Sequence, residues 1–236
     1  MKNKLLICIL LISFLNIKAQ SNNTTFGLQY KPIIPSKYFN SSHVDESYGE
    51  YSFNLTPKYS NAFGMILRHK INQTFSIESG LNYIQRNYKL TIMNYQQDVN
   101  DFTFFGIRSY EIPIQLLTYV RISEFWYLNV TFGISHNVLA SNIISYGEID
   151  TFSQETKRKD GGYIALLANV GMEYRTENKG HYYIGASLHN SFREIGRIEP
   201  QYNDLNNSFN SEDEEKQFLK IPGNFITLDF RYFFAE

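Results

Sequence analysis

The sequence predicts an all-β chain, an eight-stranded antiparallel transmembrane β-barrel. Three observations lead there. Apolar and polar residues alternate with period two in eight separate segments. The connections between those segments alternate between short and long. The 236 residues include 18 Tyr and 19 Phe, yet beyond residue 20 no apolar run is long enough for a helix to cross a bilayer.

The first twenty residues stand apart. Lys2 and Lys4 precede the 13-residue apolar run "LLICILLISFLNI", and the small and polar residues of "KAQSNN" follow it. That order describes a secretory signal peptide over 1–20, leaving 21–236 as one barrel domain. The run is shorter than the roughly 20 residues of a spanning helix. Cys8, the only cysteine, lies inside this run after Ile7, too early for a lipid anchor. The exported chain would then have no thiol for a disulfide or a metal.

The candidate strands are 24–34, 60–70, 73–93, 110–121, 126–135, 161–175, 181–195 and 223–234. In the fourth, Tyr110, Ile112, Ile114 and Leu116 alternate with Glu111, Pro113 and Gln115; in the fifth, Trp126, Leu128, Val130 and Phe132 alternate with Tyr127, Asn129 and Thr131. One face of each is apolar and the other polar. The links "INQ" (71–73), "RISE" (121–124) and "TENKG" (176–180) are hairpin-short. The other four are long and polar, roughly 10 to 28 residues each, beyond the usual hairpin loop.

Strict alternation puts the long loops at one end and the turns, with both termini, at the other. An even strand number, short periplasmic turns and long extracellular loops define the outer-membrane type of barrel. Closure satisfies every backbone group without water, so lipid can face the apolar side and a polar lumen the other. A secreted soluble barrel with an apolar interior would alternate in the same way. The loop asymmetry and the aromatic ending "ITLDFRYFFAE" weigh against it.

At "YEIPIQLLTYVRI", preceded by "SGLNYIQRNYKL" and followed much later by that aromatic final strand, the chain resembles the PorT-like outer-membrane β-barrel family of Bacteroidota. The resemblance covers the mature chain. It implies a protein of the cell outer membrane, inserted by the outer-membrane assembly machinery and surrounded by outer-membrane lipids and lipopolysaccharide. The namesake branch is associated with type IX secretion and gliding, while most members have no assigned activity. Phe234 fits the family's terminal aromatic, although Ala235 and Glu236 follow it.

Pro113 has no ladder donor, which predicts a bulge at that point. The lumen parity collects Arg68, Glu78, Glu111, Glu173, His189, Arg193, Asp229 and Arg231. An eight-stranded barrel is just wide enough to be filled by its side chains, so these charges should pair as a polar plug. A proton or ion path is the sharper alternative. Phe125, Trp126 and Tyr127, with Tyr174, Tyr182 and Tyr232 to Phe234, are expected to form an aromatic girdle at the turn side.

Catalytic chemistry finds little support. Ser135 and His136 are adjacent and point to opposite faces of a strand, so they cannot pair. His189, between Ser187 and Ser191, is the better cluster, yet a histidine inside a polar plug is the plainer reading. The five histidines (43, 69, 136, 181 and 189) show no ligand spacing, so no metal or cofactor is expected. The acidic run "SEDEEK" at 211–216 is expected to be solvated, and a net charge of -1 gives no reason to expect nucleic acid. The expected role is a scaffold whose loops, 35–59 and 196–221 above all, meet a protein partner. The rivals are a narrow channel, a lipid-modifying enzyme and a soluble periplasmic ligand-binding barrel.

Overall fold

The structure, a computed structural model, describes residues 23–35, 44–48, 50–94, 96, 98–149, 152–159, 161–176, 179–202 and 218–235. The expected signal segment, the tip of the first long loop and the acidic run at 211–216 lie outside the described residues.

Eight strands form the wall: β1 (Thr24–Ile34), β4 (Ser60–Lys70), β5 (Phe75–Asn94), β6 (Val99–Arg121), β7 (Trp126–Leu139), β10 (Gly162–Arg175), β11 (His181–Ser191) and β14 (Phe225–Phe233). Each pairs antiparallel with its wall neighbour in chain order. The first also pairs with the last, from Gly27 opposite Phe233 to Ile34 opposite Ile226, so the pairings run in a closed ring. The short connections fall at one end. Asn72 Oδ1 accepts the Thr74 and Phe75 amides in the first turn. Gly180, at φ 85°, closes the third by accepting the Thr176 hydroxyl on its carbonyl.

Among the described residues there are fourteen strands where eight were expected, because the long connections themselves contain strands. The first holds β2 (Val44–Tyr48) and β3 (Tyr51–Pro57), and β3 pairs with the far half of β5. The others hold β8 (Ile143–Tyr146), β9 (Phe152–Arg158), β12 (Gly196–Tyr202) and β13 (Leu219–Ile221), which form a second, four-stranded sheet. That sheet lies beside β6 through β8 and beside β2 through β13. The expected loop after the third segment is no loop. There β5 and β6 continue as one long hairpin, with Asn94 opposite Val99.

The reason is a core. Phe53, Leu55, Tyr88, Leu90, Ile92, Phe105, Ile107, Phe152, Ile198, Leu219 and Ile221 are buried together inside this loop-end structure. Apolar side chains that leave water here order what would otherwise be polar loops.

Pro113 makes no bulge. The β5–β6 ladder has Ser79 opposite Ile114 and Asn82 opposite Glu111 and skips the two pairs between, while the register continues unshifted. On its other side Pro113 stays in register with Ser135. The missing proline donor removes bonds without inserting a residue. Pro32 has the same effect between β1 and β14.

Candidate functional site

Inside the ring, toward the turn end, the polar side chains converge. Arg68 on β4 donates from Nε to Glu78 Oε1 at 2.7 Å and from Nη1 to Glu173 Oε2 at 2.6 Å. Arg231 on β14 donates to Glu78 Oε2 at 2.9 Å and to Asp229 Oδ2 at 2.7 Å. Arg175 bonds Glu173 Oε1 at 2.7 Å, and Lys31 Nζ lies 3.4 Å from Asp229. Ser187 donates to Asp229 at 2.6 Å, and Asn169 donates to both. Six strands thus meet in one bonded network, which is how charges survive burial.

Higher in the lumen, Gln29 donates to Asn82, which donates to Glu111 Oε2 at 2.8 Å. His189 Nε2 lies 3.4 Å from Glu111 Oε1, and its ring stacks on Phe225 with centroids 4.2 Å apart. Arg86 follows, buried, its guanidinium without a hydrogen-bond partner among the described residues. Above it begins the apolar core.

Seven of the eight residues assigned to the lumen from sequence are therefore buried inside the ring: Arg68, Glu78, Glu111, Glu173, His189, Asp229 and Arg231. Arg193 is the exception. β11 ends at Ser191, so parity no longer governs position 193; the side chain is exposed and donates to the Gly162 carbonyl at 2.6 Å. Lys31, Arg86 and Arg175 were passed over, although each shares the parity of a lumen residue on its own strand. Two girdle assignments also change. Phe233 turns inward, with the Arg68 guanidinium 3.7 Å from its ring centroid, and Tyr127 lies against Arg175 at 4.0 Å. Period two requires this of them, since Trp126, Tyr232 and Phe234 face outward.

The serines beside His189 are engaged elsewhere. Ser187 bonds Asp229, and Ser191 donates to the Arg193 carbonyl. His136 is exposed on the outer face. Among the described residues no three His, Cys, Asp or Glu side chains form a metal-sized group.

The outer face is an apolar belt bounded by aromatics. Toward the turn end Phe26 stacks on Phe234 at 5.6 Å, Tyr182 meets Tyr232 at 5.1 Å, and Trp126 meets Tyr174 at 5.0 Å. Toward the loop end Tyr30, Phe63, Tyr83 and Tyr110 stand opposite one another on four successive strands. On β6, Tyr110 and Val120 bound the apolar run Ile112, Ile114, Leu116. That span is about 33 Å along the strand, or about 25 Å of height at the usual tilt, the thickness of a barrel's lipid band.

No family model matches the chain, and neither does any curated protein. Among solved structures it is similar to the outer membrane protein OprG from Pseudomonas aeruginosa, at 10% identity and a TM-score of 0.56, over 91% of this chain and 97% of that one. The fold is that of an outer-membrane β-barrel. Two further similarities have lower TM-scores. The outer membrane protease OmpT from Escherichia coli gives 0.34 at 7% identity, over 89% of this chain and 91% of that one. An outer membrane channel from Pseudomonas putida F1 gives 0.28 at 10% identity, over 93% and 97%.

Proposed function

We propose that this chain is an integral barrel of the cell outer membrane that acts as a scaffold, holding its loop-end sheets outside the cell for a partner. One observation carries the reading: the lumen is filled twice, first by the ion-pair network and then by the apolar core. A barrel of eight strands has little interior to spare, and here both halves are occupied. Conduction would require the two fillings to move together. Catalysis would require His189 to reach a nucleophile, and its neighbouring serines are bound to other groups.

Contact with a partner has support on the loop-end surface. Phe104 on β6, Ile144 and Tyr146 on β8, and the nearby Ile149 are all exposed beyond the lipid belt. Exposed apolar side chains gathered in water mark interaction surfaces. The PorT-like resemblance makes a secretion assembly the first partner to look for; lipopolysaccharide and lipids would surround the wall, and the assembly machinery would insert it.

Planar bilayer recording of the refolded chain tests the scaffold reading. The expected result is no stepwise conductance above that of the bare bilayer. A steady open level, altered by Glu111→Gln, would establish a channel in its place.

A further inference from the structure

Among the described residues, the turn-end mouth of the barrel carries an excess of positive charge around a cavity. We propose that this mouth is a binding site for a small oxyanion, phosphate or carboxylate in class. The cavity is about 300 Å³ and is lined by Arg68, Lys70, Tyr119, Arg175 and His181, with no carboxylate side chain among its described lining residues. Four strands supply these groups, with His181 opening β11. Arg68 and Lys70 end β4, Tyr119 lies near the end of β6, and Arg175 ends β10. The Tyr119 ring is shared between two guanidinium groups, with Arg175 4.6 Å and Arg68 5.6 Å from its centroid.

Two independent observations point to a ligand. The first is charge. The cations Lys31, Arg68, Arg175 and Arg231 share only three carboxylates, Glu78, Glu173 and Asp229, and Lys70 adds another positive charge at the mouth. Buried charges are normally matched, and among the described residues this group is one anion short. The second is a free donor. Arg68 commits Nε to Glu78 and Nη1 to Glu173, but its buried Nη2 has no hydrogen-bond partner among the described residues. Arg68 lines the cavity, and a small turn of its guanidinium would bring Nη2 to an oxyanion there while Lys70 and Arg175 close on its other oxygens. Guanidinium and ammonium groups together suit a phosphoryl or carboxylate head better than a chloride ion.

The mouth opens on the side of the short turns and both termini. That this side is the periplasm rests on the membrane orientation proposed above; the binding chemistry does not. Two sources could bring the same group, a free periplasmic anion or the headgroup of an inner-leaflet phospholipid.

The test uses the mature chain folded in uncharged detergent, titrated with inorganic phosphate against sodium chloride of equal ionic strength. Folding is scored by the gel-mobility shift on heating. Phosphate is expected to bind saturably and to raise the temperature of that shift, as a ligand specific for the folded state must. Lys70→Gln combined with Arg175→Gln is expected to weaken binding about tenfold or more. Should the double variant fail to fold, the exposed Lys70→Gln alone serves, with a smaller expected loss. Lys157→Gln, in the loop-end sheet, is expected to leave binding unchanged. Repeating the titration in phosphatidylcholine and phosphatidylglycerol vesicles separates the sources. Phosphate binding suppressed only by phosphatidylglycerol supports the site and assigns it to a lipid headgroup; binding kept in both supports the site and assigns it to a free anion. No saturable phosphate effect in detergent, or equal affinity in the folded Lys70→Gln variants, overturns the proposal.

Discussion

From Phe75 to Tyr83 the apolar residues of β5 face outward and the polar ones inward, whereas from Ile84 to Ile92 Tyr88, Leu90 and Ile92 face inward and Gln85, Asn87, Lys89 and Thr91 face outward. The strand does not break where its pattern inverts. What changes is the solvent outside. In the lower half lipid is as apolar as any protein core, so burying apolar groups in the lumen would gain nothing, and the interior is held by ion pairs and hydrogen bonds. In the upper half water lies outside, and burial of Leu55, Leu90 and Phe152 gains about 25 cal/mol per Å² of apolar surface. Arg86 sits at the change, charged and buried between the two kinds of interior.

The largest expected effect comes from breaking the lower interior. Glu78 bridges Arg68 and Arg231. Glu78→Gln keeps the shape and removes the charge from between two buried guanidinium groups, an expected loss of about 3–5 kcal/mol. Urea-dependent refolding in micelles, followed by gel mobility, measures it. A loss below about 1 kcal/mol would mean that water enters the lumen freely and screens these charges.

The lower half was legible in the sequence because period two, sustained over many residues, assigns every side chain to a face. The eight wall segments, the three turns and seven of the eight lumen residues follow from that rule. Lys31 and Arg175 share the inward parity of their strands, and the same rule applied to them would have found both. The rule stops where a strand stops, which is why Arg193 was misassigned. The upper half was harder. Strands β8, β9, β12 and β13 pair across connections distant in sequence, as in Gly196 opposite Arg158, and such partners leave no local pattern. One signal was present. The neighbours Tyr83 and Ile84 are both apolar, and the apolar parity shifts from odd to even between them. The same shift occurs on β6 between Ile107 and Tyr110. A change of phase without a turn is the mark of a wall passing from lipid into water.

Ile114 and Phe104 test that boundary. They lie on the same strand, face outward and are exposed to the same degree, 58% and 59%. Ile114 lies in the belt, and Phe104 lies beyond Tyr110 toward the loops. Ile114→Lys is expected to cost about 2–4 kcal/mol, because a charge on the lipid face must leave water. Phe104→Lys is expected to change stability by no more than about 0.5 kcal/mol, as an ordinary surface substitution does. The measurement is refolding into vesicles at increasing urea. Equal costs at the two sites would mean that the belt does not end at Tyr110.

The smallest expected effect belongs to the charges that dress the upper half. Glu194, beyond the end of β11, accepts from Lys159 at 2.8 Å, and Lys157 on β9 donates to Glu199 on β12 at 2.6 Å. The Lys159 hydrogen bond holds the Glu194 carboxyl below its ordinary value of 4.5, and the Glu199 hydrogen bond holds the Lys157 ammonium above its ordinary 10.5. A depressed carboxyl contributes stability that is fully present above 4.5 and lost as pH falls through the folded value. A raised ammonium contributes below 10.5 and loses its share as pH rises through its folded value. Between those limits the loop-end sheet should show no pH dependence from either pair. Carbon NMR titration of the Glu194 carboxyl checks the acid side: its midpoint is expected below 4.5 in the native chain and to move up toward 4.5 in Lys159→Gln. Exposed pairs are screened by water, so the sheet itself should remain folded through that titration, held by Leu219, Ile221 and Phe152 packing beneath it.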